Sequence, residues 1–319
     1  MRNLFAVLFL AALTALGHAQ GAFPNRPVKI VVAFPPGGST DVTARLLAAR
    51  LQEKWGQPVV VENRAGAGAN IGTAYVAHAP ADGYTMLLAT TALAISPSVY
   101  ANPGYDALKD LAPVLYVSSI ANVLVVNPAL PTATIGEFIA YAKVHPGQLN
   151  FAAPGASSGQ RMTFELVKQA TGTQIVMVPY GGGAPALQAV LGGQVEAMIV
   201  NVVEAATYVR AGKLRALAVT TARRAPMLAD VPTLAETVAP GIDTAVWQGL
   251  LVPAGTAPAV QALIQRDAAA VLALPDVADR LAGLGMVVAP AGPEAFGRLL
   301  REEIETWRRV ARSAGVQTE

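Results

Sequence analysis

Short apolar runs alternate along this chain with stretches whose apolar residues recur every three or four positions. The runs are Val28 to Phe34, Val59 to Val61, Met86 to Ala89, Val123 to Val126, Ile175 to Val178, Ala197 to Val200, Ala216 to Val219 and Leu250 to Val252. Continuous Val/Ile/Leu runs of this length predict strands buried on both faces of a largely parallel sheet. Helices with readable ends lie between them. One starts at Ser39 or Thr40, presents Val42, Leu46, Leu47 and Leu51, and stops at Gly56. Another starts at Ser157 or Ser158 and ends at Gly172, and a last one runs from Pro293 with Phe296, Leu299, Leu300, Ile304 and Trp307 on one side. Beyond Arg309 the spacing predicts a frayed tail. Alternating strand and helix means an α/β fold.

Three strand-to-helix turns are rich in Gly, Ser and Thr, and they carry the candidate chemistry. The first is Phe34-Pro35-Pro36-Gly37-Gly38-Ser39-Thr40-Asp41. A strand ending in glycines and entering a hydroxyl-capped helix leaves backbone N–H groups and a helix dipole facing one point, which suits an anion. An ordinary tight turn with an N-cap uses the same residues. The second, Ala153-Pro154-Gly155-Ala156-Ser157-Ser158-Gly159, follows a strand around Asn150 to Ala152 and contains the nucleophile-elbow spacing Gly155-x-Ser157-x-Gly159. A secreted serine hydrolase using Ser157 is therefore a competing reading, but His18, His78 and His145 all precede the serine, whereas that fold places its His afterwards. The third turn, Pro179-Tyr180-Gly181-Gly182-Gly183-Ala184-Pro185, lets the backbone approach a ligand. Tyr180 there offers a ring face and a hydroxyl, or packs beside the strand.

Other motifs lose their partners on inspection. Gly66-Ala67-Gly68-Ala69-Asn70-Ile71-Gly72 follows a strand like a dinucleotide fingerprint, but no acid ends the next strand, Met86 to Thr90. Neither glycine turn has the Lys of a nucleotide P-loop. His78 and His145 lack ligand spacing, so neither a metal nor any other cofactor is expected. The formal net charge of +2 falls to +1 without Arg2, the basic residues are dispersed, and nothing calls for nucleic acid.

The N-terminus adds a destination. Arg2, the apolar run Leu4 to Leu16 and the small-residue site Gly17-His18-Ala19 form a secretory signal over 1–19, cleaved after Ala19. The apolar run is shorter than the roughly 20 residues of a membrane span. Ala184 to Val209 is the most apolar later stretch, but Glu196, Glu204, Gly192 and Gly193 make it helix, turn and strand. With no cysteine there is no disulfide, no thiol nucleophile and no lipoprotein anchor. The expectation is a protein soluble in the periplasm.

Taken in order, further pieces accompany the turns: Pro27 to Val32, Val61-Glu62-Asn63-Arg64-Ala65-Gly66, Asp82-Gly83-Tyr84-Thr85, Val178-Pro179-Tyr180, Leu191-Gly192-Gly193-Gln194-Val195, Ala218-Val219-Thr220-Thr221, Val231 to Glu236, Trp247 with Gly249, and Pro253-Ala254-Gly255-Thr256. With these the chain resembles, over nearly its full length, the Bordetella-uptake-gene (Bug) or tricarboxylate-transport-C (TctC) family of periplasmic solute receptors.

That resemblance implies a two-lobed periplasmic binding protein fold of type II-like α/β architecture, with a ligand cleft between lobes that close on the ligand. Lobe 1 would be 20–120 plus 230–319, and lobe 2 would be 121–229. It implies a small carboxylate ligand (a di- or tricarboxylate, acidic amino acid or aromatic acid), delivered by a monomeric, non-catalytic receptor to the membrane components of a tripartite tricarboxylate transporter. A receptor that reports its ligand to a signalling partner is the alternative. The implied ligand shell is Gly37, Gly38, Ser39 and Thr40, with Asp41 as a turn residue; Thr90, Thr91 and Ala92; and Gly155, Ser157, Ser158, Tyr180 and Asn201 from the other lobe. Trp247 and Gln248 sit on the return crossing, where the indole walls the cleft or packs between lobes. Arg161 stands where many relatives have His; it pairs with a second carboxylate or is a solvated charge in a helix's first turn.

Overall fold

The computed structural model describes residues 23–155 and 157–316, so the expected export signal over 1–19 lies outside the described residues. The described residues form ten strands: Val28–Val32 (β1), Val59–Asn63 (β2), Thr85–Thr90 (β3), Leu111–Val126 (β4), Asn150–Ala153 (β5), Val176–Pro179 (β6), Ala197–Asn201 (β7), Arg215–Val219 (β8), Ala245–Pro253 (β9) and Met286–Ala291 (β10). The helices are Ser39–Trp55 (α1), Asn70–Ala77 (α2), Ala92–Val99 (α3), Ile135–Val144 (α4), Gly159–Thr171 (α5), Gly183–Leu191 (α6), Val202–Arg210 (α7), Pro258–Leu272 (α8), Pro275–Gly283 (α9) and Pro293–Ser313 (α10).

Each half of the sheet is a parallel unit, but the whole is mixed rather than largely parallel. β2, β1 and β3 run parallel, as do β6, β5 and β7. Between them, β4 is antiparallel to β9 and β10 over its first part and to β7 and β8 over its second. The sixteen residues of β4 thus belong to both halves. Sequence pattern marked only its last four residues, because Pro113, Ser118, Ser119 and Asn122 break the apolar run.

Strand alternation builds four cores. Ile30, Leu88 and Leu250 pack with Leu47 and Leu51 of α1 on one face of the first half, while Val31, Leu87 and Leu251 pack with Phe296 and Trp307 of α10 on the other. In the second half Leu124 and Ile199 face Phe138 of α4 and Phe164 of α5, and Val123 and Met198 face Val190 of α6. Leu234, Ala239 and Ile242, in the stretch expected with lobe 1 from residue 230 onward, join this second half, and Thr233 bridges to Val219 of β8.

Helix ends follow local chemistry. α1 stops at Gly56 and α5 at Gly172, both left-handed (φ 63° and 65°), as glycine permits. Ser158 caps α5 by accepting the Arg161 N–H at 3.2 Å. α10 extends past the point where fraying was expected: Val310 and Ala311 are buried and hold the helix to Ser313.

Gly249 of β9 is a packing constraint. A methyl group there would overlap the ring of Phe296, which meets Tyr116 and Trp247 edge-on. Gly249→Ala should lower stability by about 1–3 kcal/mol in urea unfolding, the usual cost of overpacking a core. An unchanged midpoint would contradict this packing.

Candidate functional site

Register alone brings the carboxyl ends of both parallel units to one place. Thr90, the last residue of β3, lies opposite Gln248, and Gln248 lies opposite Ser118 of β4. Asn201, the last residue of β7, lies opposite Asn122 of β4. Ser118 and Asn122 are four positions apart, about 13 Å along a strand. Cross-strand partners share a sheet face, so Thr90, Ser118 and Gln248 with Asn122 and Asn201 form a polar band, crossed only by Ile120 of β4, between Leu88 and Leu250 on one side and Leu124 and Ile199 on the other. In open α/β sheets the crevice beyond the strands' carboxyl ends is where ligands bind.

In the first turn Gly37 is left-handed (φ 92°) and its N–H donates to the Asp41 carboxylate at 3.0 Å. Asp41 also accepts from Arg45 Nε at 2.9 Å and Asn63 Nδ2 at 2.9 Å. The Arg45 hydrogen bond, helped by the Gly37 and Asn63 donors, outweighs burial and holds this carboxyl down at about 2. Asp41 is therefore committed to shaping the turn. Gly38 is exposed and Ser39 half-buried, at the start of α1 where amides have no intrahelical acceptor. Thr40 is buried.

At the next turn Thr90 Oγ1 accepts from the Ala92 N–H at 3.3 Å, and Thr91 Oγ1 accepts from the Trp247 N–H at 3.1 Å. All three residues of Thr90–Ala92 are buried. From the other half, Gly155 has φ 120° and its carbonyl accepts from Ser158 Oγ at 2.9 Å. Ser157 is buried and its Oγ donates across the halves to the Gly68 carbonyl at 3.1 Å. That partner is not a base, and the ring nitrogens of His78 and His145 lie on the carbonyls of Ala74 and Tyr141 in their own helices. The Ser157 hydroxyl thus lacks the activation a nucleophile needs.

The remaining expected residues divide. Tyr180 is half-buried beside the α6 core, and its N–H donates to the Ala153 carbonyl at 2.9 Å. Asn201 stands at the N-terminus of α7. Arg161 is half-buried in the first turn of α5. Trp247 points away from the polar band: its Nε1 donates to Glu303 at 2.7 Å, and its ring packs against Phe296. Its neighbour Gln248 faces the band and reaches Ser39 Oγ at 3.4 Å.

Sequence reasoning set aside the loop over 66–69 as a failed dinucleotide motif, yet it touches the site. Ala67 and Ala69 are left-handed (φ 46° and 80°), and a side chain on Gly68 would collide with Ser157 and Tyr100. Ala33, Ala69 and Ala92, with Phe34, join three first-half turns in one small apolar cluster. The sequence signal was Gly-Ala-Gly after a strand, which marks close backbone approach whatever approaches.

The family model for the tripartite tricarboxylate transporter family receptor matches residues 43–316. The chain belongs to this family. Its members are periplasmic binding proteins, not enzymes. The chain is 38% identical to protein BugT of Bordetella pertussis over 99% of both chains. Among solved structures, R. palustris Rpa4515 with adipate is similar at 37% identity and TM-score 0.84, covering 93% of this chain and 100% of that one. Periplasmic binding protein BugD matches at 33% identity and TM-score 0.82 with the same coverage. MatC from Rhodopseudomonas palustris with bound malate matches at 33% identity and TM-score 0.78, over 91% of this chain and 100% of that one. As in this TctC/Bug family, the fold is that of a periplasmic binding protein.

Glu303 gives this region a pH signature. Burial pushes its carboxyl up to about 7, against the two indole donors, Trp247 and Trp307. A folded-state value above the unfolded one favours folding below about pH 4.5, and that contribution is lost as pH rises through about 7. Glu303→Gln, which keeps an acceptor for the indoles, should flatten a stability slope worth on the order of 2–3 kcal/mol across this range. Thermal melts from pH 5 to 8 check this; identical slopes in both proteins would contradict it.

Proposed function

We propose that this protein is a periplasmic receptor that closes around a small carboxylate and delivers it to the membrane components of a tripartite tricarboxylate transporter. The supporting observation is the meeting, at the middle of β4, of turns from both halves that open into helices α1, α3, α5 and α7. First-turn amides and helix dipoles favour an anion without a charged side chain. Of the related structures, Rpa4515 carries adipate and MatC carries malate. In this reading the lobes are 23–121 with 245–316, and 122–244; they hinge about β4 and the connection into β9, and closure excludes water from the amide contacts. Gly37–Thr40, Thr90–Ala92, Gly155, Ser157, Ser158, Tyr180 and Asn201 line the space, while Asp41 and Trp247 support it. The chain acts as a monomer after removal of 1–19, without a lipid anchor. No helix among the described residues is long and apolar enough to cross a membrane.

Calorimetric titration of the purified protein with small carboxylates and their amides tests the reading. Amidation should weaken binding roughly a hundredfold, about 2.7 kcal/mol. Equal affinity for acid and amide would overturn carboxylate capture.

A further inference from the structure

Three side-chain carbonyl oxygens in the polar band have no hydrogen-bond donor among the described residues: Gln248 Oε1, Asn122 Oδ1 and Asn201 Oδ1. Gln248 is 0% exposed and Asn122 is 1% exposed. A buried acceptor without a donor keeps its full desolvation penalty. The same sheet face carries Leu250, Leu124 and Ile199 on the same three strands, so apolar side chains fit this surface. The amides interrupt it where the two halves meet.

Orientation adds to this. Gln248 Nε2 is turned to Ser39 Oγ at 3.4 Å, in the first turn of α1. The Asn201 side chain is also hydrogen-bonded to Glu204, and its Oδ1 is the atom left without a donor. A carboxylate held at the α1 N-terminus therefore sits beside Gln248, and its neighbouring atoms face an acceptor rather than a donor. A plain hydrocarbon segment at that point would leave the Gln248 oxygen without a partner. A hydroxyl or ammonium group next to the carboxylate would supply one.

We infer that Gln248 is a specificity-determining residue and that the ligand carries a hydrogen-bond donor adjacent to its carboxylate, as a hydroxy acid or amino acid does. This rests on the carboxylate reading above and narrows it. A site built to hydrogen-bond a hydroxyl or amine rejects the analogue that lacks it, because the protein's buried acceptor is then stranded.

The test uses matched pairs on the purified protein: malate and succinate, 2-hydroxyglutarate and glutarate, mandelate and phenylacetate, with aspartate and glutamate as the ammonium arm and the amide of each acid as control. In at least one series the donor-bearing acid should bind tenfold or more tightly than its plain partner. Gln248→Leu should bring that ratio to within about threefold. Equal binding within every pair in the wild-type protein, a preference for the plain acids, or a preference that survives Gln248→Leu overturns the inference. Because the wild-type ratio stands alone, a variant that does not fold leaves the decision intact. Plain and donor-bearing acids binding alike, with amides failing, would overturn this inference and keep the carboxylate reading. Acids and amides binding alike would overturn the carboxylate reading and this inference with it. No binding by any compound overturns both.

Discussion

One strand carries the architecture. β4 spends its first eleven residues paired with β9 and its last five paired with β7, so a single run of backbone hydrogen bonds holds both halves of the molecule in register. Whatever faces its middle, from Ser118 to Asn122, is fixed relative to the ends of β3 and β7 on either side. The proposed binding region is thereby built on sheet rather than on loop alone, and rigid elements hold a site more closely than loops do. The same strand explains why the two apolar faces stop short of each other: a continuous core across the junction would resist any relative movement of the halves, and the polar band breaks it.

The chemistry at that junction uses little formal charge. Asp41 is spent on Gly37, Asn63 and Arg45. Glu303 is spent on two indoles. What the junction offers instead is oriented dipoles: helix starts that donate, and the amides of Gln248, Asn122 and Asn201. Helix starts can hold an anion without the large desolvation cost of a buried cation, while the unpaired oxygens of the three amides are acceptors that call for a donor beside it. The contact from Ser157 to Gly68 adds a neutral link between the halves, and the left-handed Ala67 and Ala69 show that the backbone accepts an unfavourable conformation to present that carbonyl.

Much of this was legible in the sequence, for identifiable reasons. Val28–Val32, Met86–Ala89 and Ala197–Val200 read as buried strands because both faces are covered, and Gly56 and Gly172 read as helix ends because only glycine enters the left-handed region cheaply. The turns at Phe34–Asp41 and Ala153–Gly159 announced themselves by composition. β4 and β9 did not, since strands that pass through a polar junction lose their apolar continuity at the residues that matter. Ser118 and Asn122 were single polar letters with no local pattern. The face taken by Trp247 was not legible either, because alternation places one of Trp247 and Gln248 on the band but only packing decides which.

In the proposed site, neutral donors from both halves converge on one carboxylate at the middle of β4. The direct measurement is a crystal structure of the protein with a tightly bound acid. One carboxylate group is expected within hydrogen-bond distance of first-turn amides from α1 or α3 and, across the junction, of donors from the Gly155–Ser158 turn or the start of α7. A ligand contacting one half alone, or a carboxylate held mainly by a lysine or arginine side chain elsewhere on the surface, would contradict it.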